Sequence, residues 1–348
     1  MPSTADTGRD AFTVLRRGEV APRWLRHAVS EHWALPDGHQ NLTLITVSEN
    51  ATFLLRIDGT PHSVLRVSRP GYVPSAAHIR SELHWVEALA ERTDTPVPRA
   101  IATRSGDAVC TARDGRGSSW YLVLFMFSPG TILEDDFTDP LPYYRRIGAI
   151  TAEFQAHSRT WQPPGGFTRF SWELSDMVGP SARWGDWHRA TLTPAETRLL
   201  ESAQAAALDR LEPLQKTPDT WGLIHADLRP SNIMVDADGT LTVIDFDDCG
   251  WAWFLYDFAA AFSFVEHLPI TPALAREWMR GYAETTPLSE ADAQDAVALS
   301  MLRRLQMLGW TTTHRSDALP ADIWDAQVPG TVAIAERFAQ NPLWLLTS

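Results

Sequence analysis

One stretch of this chain constrains its fold more than any other. Residues 225–232 read His225-Ala226-Asp227-Leu228-Arg229-Pro230-Ser231-Asn232, and residues 243–248 read Val243-Ile244-Asp245-Phe246-Asp247-Asp248. Two short apolar runs, Ile233–Val235 and Leu241–Ile244, are joined by Asp236-Ala237-Asp238-Gly239. Strand-length apolar runs around an Asp/Gly turn specify a hairpin. The turn lacks the third acidic ligand and the terminal glutamate of a calcium loop. An aspartate thus lies five residues before an asparagine on the loop entering the first strand, and a second aspartate ends the next strand thirteen residues later. A hairpin gathers all three oxygen-bearing side chains at one end.

That donor set suits phosphoryl transfer. The reaction needs one carboxylate to orient a hydroxyl and accept its proton. It also needs oxygen ligands for Mg²⁺ on the phosphates, and cations to offset charge on the transferring group. The spacing follows the protein-kinase pattern H-R-D-L-x-x-x-N with a later D-F-G-type aspartate, except that Ala226 stands in the arginine's place. With Asp245-Phe246-Asp247 in place of D-F-G, the chain resembles the aminoglycoside phosphotransferase and choline kinase family. The branch with type II homoserine kinases and bacterial stress-response kinases is nearest. The resemblance covers roughly residues 40–315 and is strongest over 222–262.

The resemblance implies a role for each matching position. Asp227 would be the catalytic base, Asn232 and Asp245 the Mg²⁺ ligands, and His225 a support behind the loop. Arg229 would sit near the transferring phosphate, and Asp257 would be a buried aspartate bonded to the catalytic loop. Asp247 would assist the metal or solvate the loop. ATP is the implied cosubstrate. Arg66 in Val64-Leu65-Arg66-Val67 takes the strand position of the phosphate-binding cation, because the first part of the chain has no lysine. Glu82 is its natural helix partner. Ser48-Glu49-Asn50-Ala51 occupies the phosphate-covering turn, with Ser48 and Asn50 offering small polar groups to phosphate. Met126 and Ser128 are the expected backbone contacts to adenine.

Around this centre the chain falls into two parts. Leu42–Val47, Thr52–Ile57, Ser63–Val67 and Tyr121–Phe127 read as strands, with a helix over 75–91. After Ser128-Pro129-Gly130, helices are expected over 143–158 and from Thr193 to about Leu211, with two more beginning at Thr271 and Ser289. Residues 160–190 show no assignable period. The expected fold is α+β, a two-lobe protein-kinase-like chain. Residues 1–127 would form a small antiparallel-sheet nucleotide-binding lobe, and 128–348 a mainly helical catalytic and substrate-binding lobe.

Charge divides at the same place. Residues 1–127 hold 14 arginines and 13 acidic residues, whereas the remainder holds 16 basic and 30 acidic residues. The net charge of −13 argues against nucleic acid as a partner. No apolar run reaches membrane-spanning length. Two distant cysteines and the lack of an apolar leader point to the cytoplasm. Cys249 beside Asp248 is a poor catalytic thiol, and Trp251, Trp253 and Phe254 are expected to pack the loop. The expected partner is a small hydroxylated molecule, a metabolite or antibiotic, bound by a monomer or homodimer. His314 and Arg315 are candidates to contact it. The alternatives are a protein Ser/Thr kinase and a non-catalytic nucleotide-binding scaffold.

Overall fold

The computed structural model describes residues 12, 15–47, 50–136, 138–314 and 319–347. They form two compact units. The first runs to Gly130 and takes in Pro163–Thr168; the second comprises Thr131–Gln162 and the chain from Arg169 onward.

The first unit is built on α1 (Arg23–His32), β1 (Gln40–Val47), β2 (Asn50–Ile57), β3 (Thr60–Ser68), α2 (Ala76–Arg92), β4 (Cys110–Arg113) and β5 (Ser119–Met126). Its strands make one antiparallel sheet in the order β1-β2-β3-β5-β4. Alternation decides the two faces. Phe53, Leu55, Leu65, Val67, Leu122 and Leu124 point to one side and pack with Leu25, Val29 and Trp33 of the α1 region. Arg66 falls on the other face, on the central strand, opposite Thr52 of β2 and Val123 of β5. The β2–β3 turn places Asp58 at φ 48° and Gly59 at φ 83°. Both are left-handed, as a two-residue hairpin turn matching strand twist requires.

The second unit holds β6 (Thr131–Ile132), α3 (Leu141–Thr160), β7 (Phe170–Ser171), α4 (Leu174–Met177), α5 (Pro194–Leu211), β8 (Trp221–Ile224), β9 (Ile233–Val235) and β10 (Leu241–Val243). It continues with β11 (Gly250–Trp253), α6 (Tyr256–Ala261), α7 (Thr271–Tyr282), α8 (Glu290–Thr311), α9 (Ala321–Asp325) and α10 (Gln327–Gln340). Two small sheets, β10-β9-β6 and β7-β11-β8, sit among the helices. Capping boxes start α5 at Thr193/Glu196 and α8 at Ser289/Asp292. α3 and α7 touch backbone to backbone. A Cβ on Gly281 would lie 1.8 Å from the Arg145 carbonyl oxygen, and one on Gly148 2.0 Å from that of Trp278. α8 is buried on all sides from Asp295 to Gly309, the mark of a central helix. The antiparallel sheet followed by a mainly helical part agrees with the expected α+β class. Residues 160–190 contain β7, α4 and a 3₁₀ turn at Trp187–Arg189. No described helix is long and apolar enough to cross a membrane.

Candidate active site

The loop that carries Asp227 leaves β8 at His225. That ring is buried, its Nε2 lies 3.1 Å from the Ile244 carbonyl oxygen, and Asp227 N–H donates to its Nδ1 at 3.3 Å. An accepting Nδ1 and a donating Nε2 define a neutral imidazole. Burial holds its pKa below the usual histidine value in agreement with this. His225 therefore ties the loop to the strand that ends at Asp245.

Ala226 adopts φ 67°, a left-handed conformation that costs an alanine energy. Its N–H is held by Asp257 Oδ1 at 2.8 Å. Asp257 projects from α6, and its Oδ2 accepts from Gln155 Nε2 at 3.1 Å. Gln155 Oε1 in turn accepts the Tyr282 hydroxyl at 2.6 Å. Burial pushes the Asp257 carboxyl up to about 7, against the hydrogen bonds from Ala226, Gln155 and the His225 backbone. The strained residue is thus fixed from behind by a buried polar chain reaching α3 and α7.

Asp227 stands where this support ends, its side chain 18% exposed. Asn232 Nδ2 donates to its Oδ2 at 2.7 Å and to its backbone oxygen at 2.9 Å. Arg229 Nε reaches Oδ2 at 3.4 Å, and the Arg229 guanidinium lies 5.5 Å from the Phe264 ring centroid. Arg303 Nη2, from α8, donates to Oδ1 at 2.7 Å.

With its nitrogen committed to Asp227, Asn232 has its oxygen left for a cation. Ile233 pairs with Val243, and Ile244 N–H donates to the Asn232 carbonyl at 2.8 Å. Asn232 and Asp245 therefore flank the same end of the hairpin. Asp245 is exposed and left-handed at φ 62°. One carboxylate and one amide oxygen are hard donors of the kind a divalent cation takes. No cluster of three or more His, Cys, Asp or Glu that could hold a metal occurs among the described residues.

The segment after Asp245 is clamped. Arg169 donates through Nε to the Cys249 carbonyl at 2.7 Å and through Nη2 to that of Asp247. Trp172 Nε1 donates to the Asp248 carbonyl at 2.9 Å. β11 then pairs with both β8 and β7. Cys249, Trp253 and Phe254 are buried.

In the first unit, Arg66 and Glu82 form a two-pronged pair, Nη1–Oε1 at 2.6 Å and Nη2–Oε2 at 2.9 Å. Asn50 is buried at the start of β2, opposite Ser68. Ser48 lies outside the described residues. Met126 donates its N–H to the Arg99 carbonyl at 2.8 Å, while Ser128 is half-buried just beyond β5. His314 stacks on Trp310 at 3.9 Å, its Nδ1 2.9 Å from the Trp310 carbonyl oxygen, as a cap on the end of α8. Arg315 lies outside the described residues.

Arg303 and the Gln155–Tyr282 support escape sequence reasoning. A signal for the first exists: Arg303-Arg304 interrupts the apolar run Val297–Leu308. Charges inside a mainly apolar stretch of helix must find buried partners.

Comparison with known proteins gives one family and several relatives. A family model described as "Phosphotransferase enzyme family" matches residues 42–293. The structure of a microcompartment-associated aminopropanol kinase shares 34% identity over 93% of this chain and 99% of that one, with a TM-score of 0.82. The amicoumacin kinase of Bacillus subtilis is 27% identical over 265 residues, which is 72% of this chain and 71% of that protein. An amicoumacin kinase solved with AMP-PNP, Ca²⁺ and Ami has a TM-score of 0.70 at 20% identity, covering 92% of this chain and 93% of the other.

Proposed function

This chain belongs to the phosphotransferase enzyme family, and we propose that it transfers the γ-phosphoryl group of ATP to the hydroxyl of a small amine-bearing molecule. The observation that carries the reading is the Asp227 carboxylate, held by Asn232, Arg229 and Arg303 yet partly open to solvent. Asp227 orients the acceptor hydroxyl and takes its proton as the new P–O bond forms. The transfer passes through a loose transition state, so positioning matters more than base strength. Arg229 offsets charge near the reacting oxygens. His225 keeps the loop in register from behind.

Asn232 and Asp245 would hold Mg²⁺, which would offset the charge of the phosphates. Nucleotide recognition is assigned to residues 1–127 and acceptor recognition to 128–348. In the first part, Arg66 would bind the α- and β-phosphates, with Glu82 fixing its fork. Asn50 and Ser48 would border the phosphates. With the Met126 N–H already committed to Arg99, adenine recognition rests chiefly on the Ser128 backbone.

An amine on the acceptor is supported by the acidic excess of residues 128–348 and by the likeness to an aminopropanol kinase. ADP formation is measured with aminopropanol, ethanolamine, choline, homoserine, amicoumacin and aminoglycosides, and products are identified by mass. A phosphorylated amino alcohol is the expected result. Acceptor-dependent ADP formation with a protein substrate alone would refute the small-molecule reading.

A further inference from the structure

Arg303 lies in the fully buried part of α8, where a guanidinium is costly unless its donors are met. All three of its nitrogens are met. Nε donates to Ser263 Oγ at 2.9 Å, Nη1 to the Tyr256 hydroxyl at 2.7 Å, and Nη2 to Asp227 Oδ1 at 2.7 Å. The guanidinium also lies over two rings, 4.8 Å from the Trp184 centroid and 5.4 Å from that of Tyr256.

A backbone contact delivers Trp184 to this place. A Cβ on Gly185 would sit 2.6 Å from the Gly309 carbonyl oxygen, and one on Gly309 2.3 Å from that of Gly185. Thr313 Oγ1 then donates to the Trp184 carbonyl at 2.9 Å. The arginine is fixed on every side. Of its three hydrogen-bond partners, Tyr256 and Ser263 are buried and only Asp227 opens to solvent.

A carboxylate offers about four lone-pair directions. Arg303 takes one on Oδ1, and Asn232 and Arg229 approach Oδ2. These contacts on both oxygens fix the rotation of the carboxylate and still leave an acceptor direction on Oδ1.

We propose that Arg303 is a positioning residue for phosphoryl transfer, gripping Oδ1 of Asp227 so that the carboxylate meets the acceptor hydroxyl in one orientation. As the hydroxyl oxygen bonds to phosphorus and the bond between the γ-phosphorus and the bridging oxygen breaks, the hydroxyl proton passes to the Asp227 carboxylate. Arg303 keeps its own protons throughout, as a guanidinium must. The inference rests on the reading of Asp227 as the base.

The test measures ATP consumption with water alone and with aminopropanol as acceptor, together with melting temperature. It uses the native chain, Arg303→Met, Arg303→Lys, Tyr256→Phe and, as a control, Asp227→Asn. Arg303→Met should lower kcat by about 10- to 100-fold, as expected for a misplaced reacting group, with KM for ATP within about twofold. Arg303→Lys should recover part of the loss, since it restores charge without the fork. Tyr256→Phe removes one guanidinium contact and should lower kcat by roughly two- to fivefold.

Native kcat in a folded Arg303→Met protein, with Asp227→Asn inactive, overturns the proposal alone. Native turnover in Asp227→Asn overturns the base reading beneath it. An Arg303→Met loss matched by an equal rise in KM for ATP, and not relieved by lysine, makes the arginine merely structural and also overturns the proposal. Should the methionine variant not fold, unchanged kcat in both Arg303→Lys and Tyr256→Phe has the same force.

Discussion

Three buried arginine–carboxylate pairs invite comparison. Arg66–Glu82 joins a strand to the helix that follows, with side chains 8% and 3% exposed. Arg304–Glu266 joins α8 to the segment before α7, with both side chains at 0%. Arg303–Asp227 differs, because the arginine is sealed at 1% while the carboxylate stays 18% exposed. A pair closed at both ends acts as architecture, or waits for a ligand to reach one edge. A pair closed at one end presents a fixed, charged oxygen outward. The half-open geometry, rather than the ion pair as such, separates the carboxylate proposed as the base from the two sealed ones.

That contrast breaks first at Asp227. Asp227→Asn should cut phosphoryl transfer by about 10²–10⁴-fold with ATP affinity retained, since in its proposed role the residue meets the acceptor. Turnover and nucleotide titration on the same preparation check this, and near-native turnover would remove Asp227 from its role.

The sealed pair should fail in stability instead. Glu266→Ala leaves Arg304 charged and buried without its carboxylate, a loss of about 3–5 kcal/mol read from urea unfolding. Replacing both partners, Glu266→Leu with Arg304→Met, should restore most of it. A double variant no better than the single one would mean the arginine's bonds to Thr331, Ala326 and Gln327 matter more than the pair.

Glu82→Ala should fall between the two. Arg66 loses its fork partner, and KM for ATP should rise about tenfold, or about 1.4 kcal/mol, with a smaller change in kcat. An unchanged KM would assign Arg66 to architecture alone.

The smallest expected effect is none. Ala226 offers no donor to an activation-loop phosphate, and the loop after Asp245 is already held by Arg169, Trp172 and β11. Turnover before and after phosphatase treatment, with phosphorylation followed by intact mass, should agree. A large drop would reveal control by phosphorylation at some other position.

What the sequence disclosed depended on range. The hairpin, its turn and its three oxygen-bearing side chains lie within 21 residues, so period and spacing define them. Arg66 and Glu82 are 16 apart in sequence, a strand and the helix after it, and remain legible. Asp227 and Arg303 are 76 apart, and Gln155 and Asp257 are 102 apart. Those contacts depend on how helices pack, which one sequence does not state. Residues 160–190 stayed opaque for a related reason. β7 has two residues and α4 four, too short for either period to register. Their places come from partners such as Gly309 and β11.

Arg303 and Arg304 are neighbours on one helix, about 100° apart around its axis. One faces Asp227 and the other Glu266 and the start of α10. Their separate destinations make α8 intolerant of insertions and deletions. One residue added between Asp295 and Arg303 would turn both side chains by about that same angle, withdrawing one charge from Asp227 and the other from Glu266 together. Related chains should therefore vary freely in the loops before and after α8, while the count of residues from its capping box to the arginine pair stays constant.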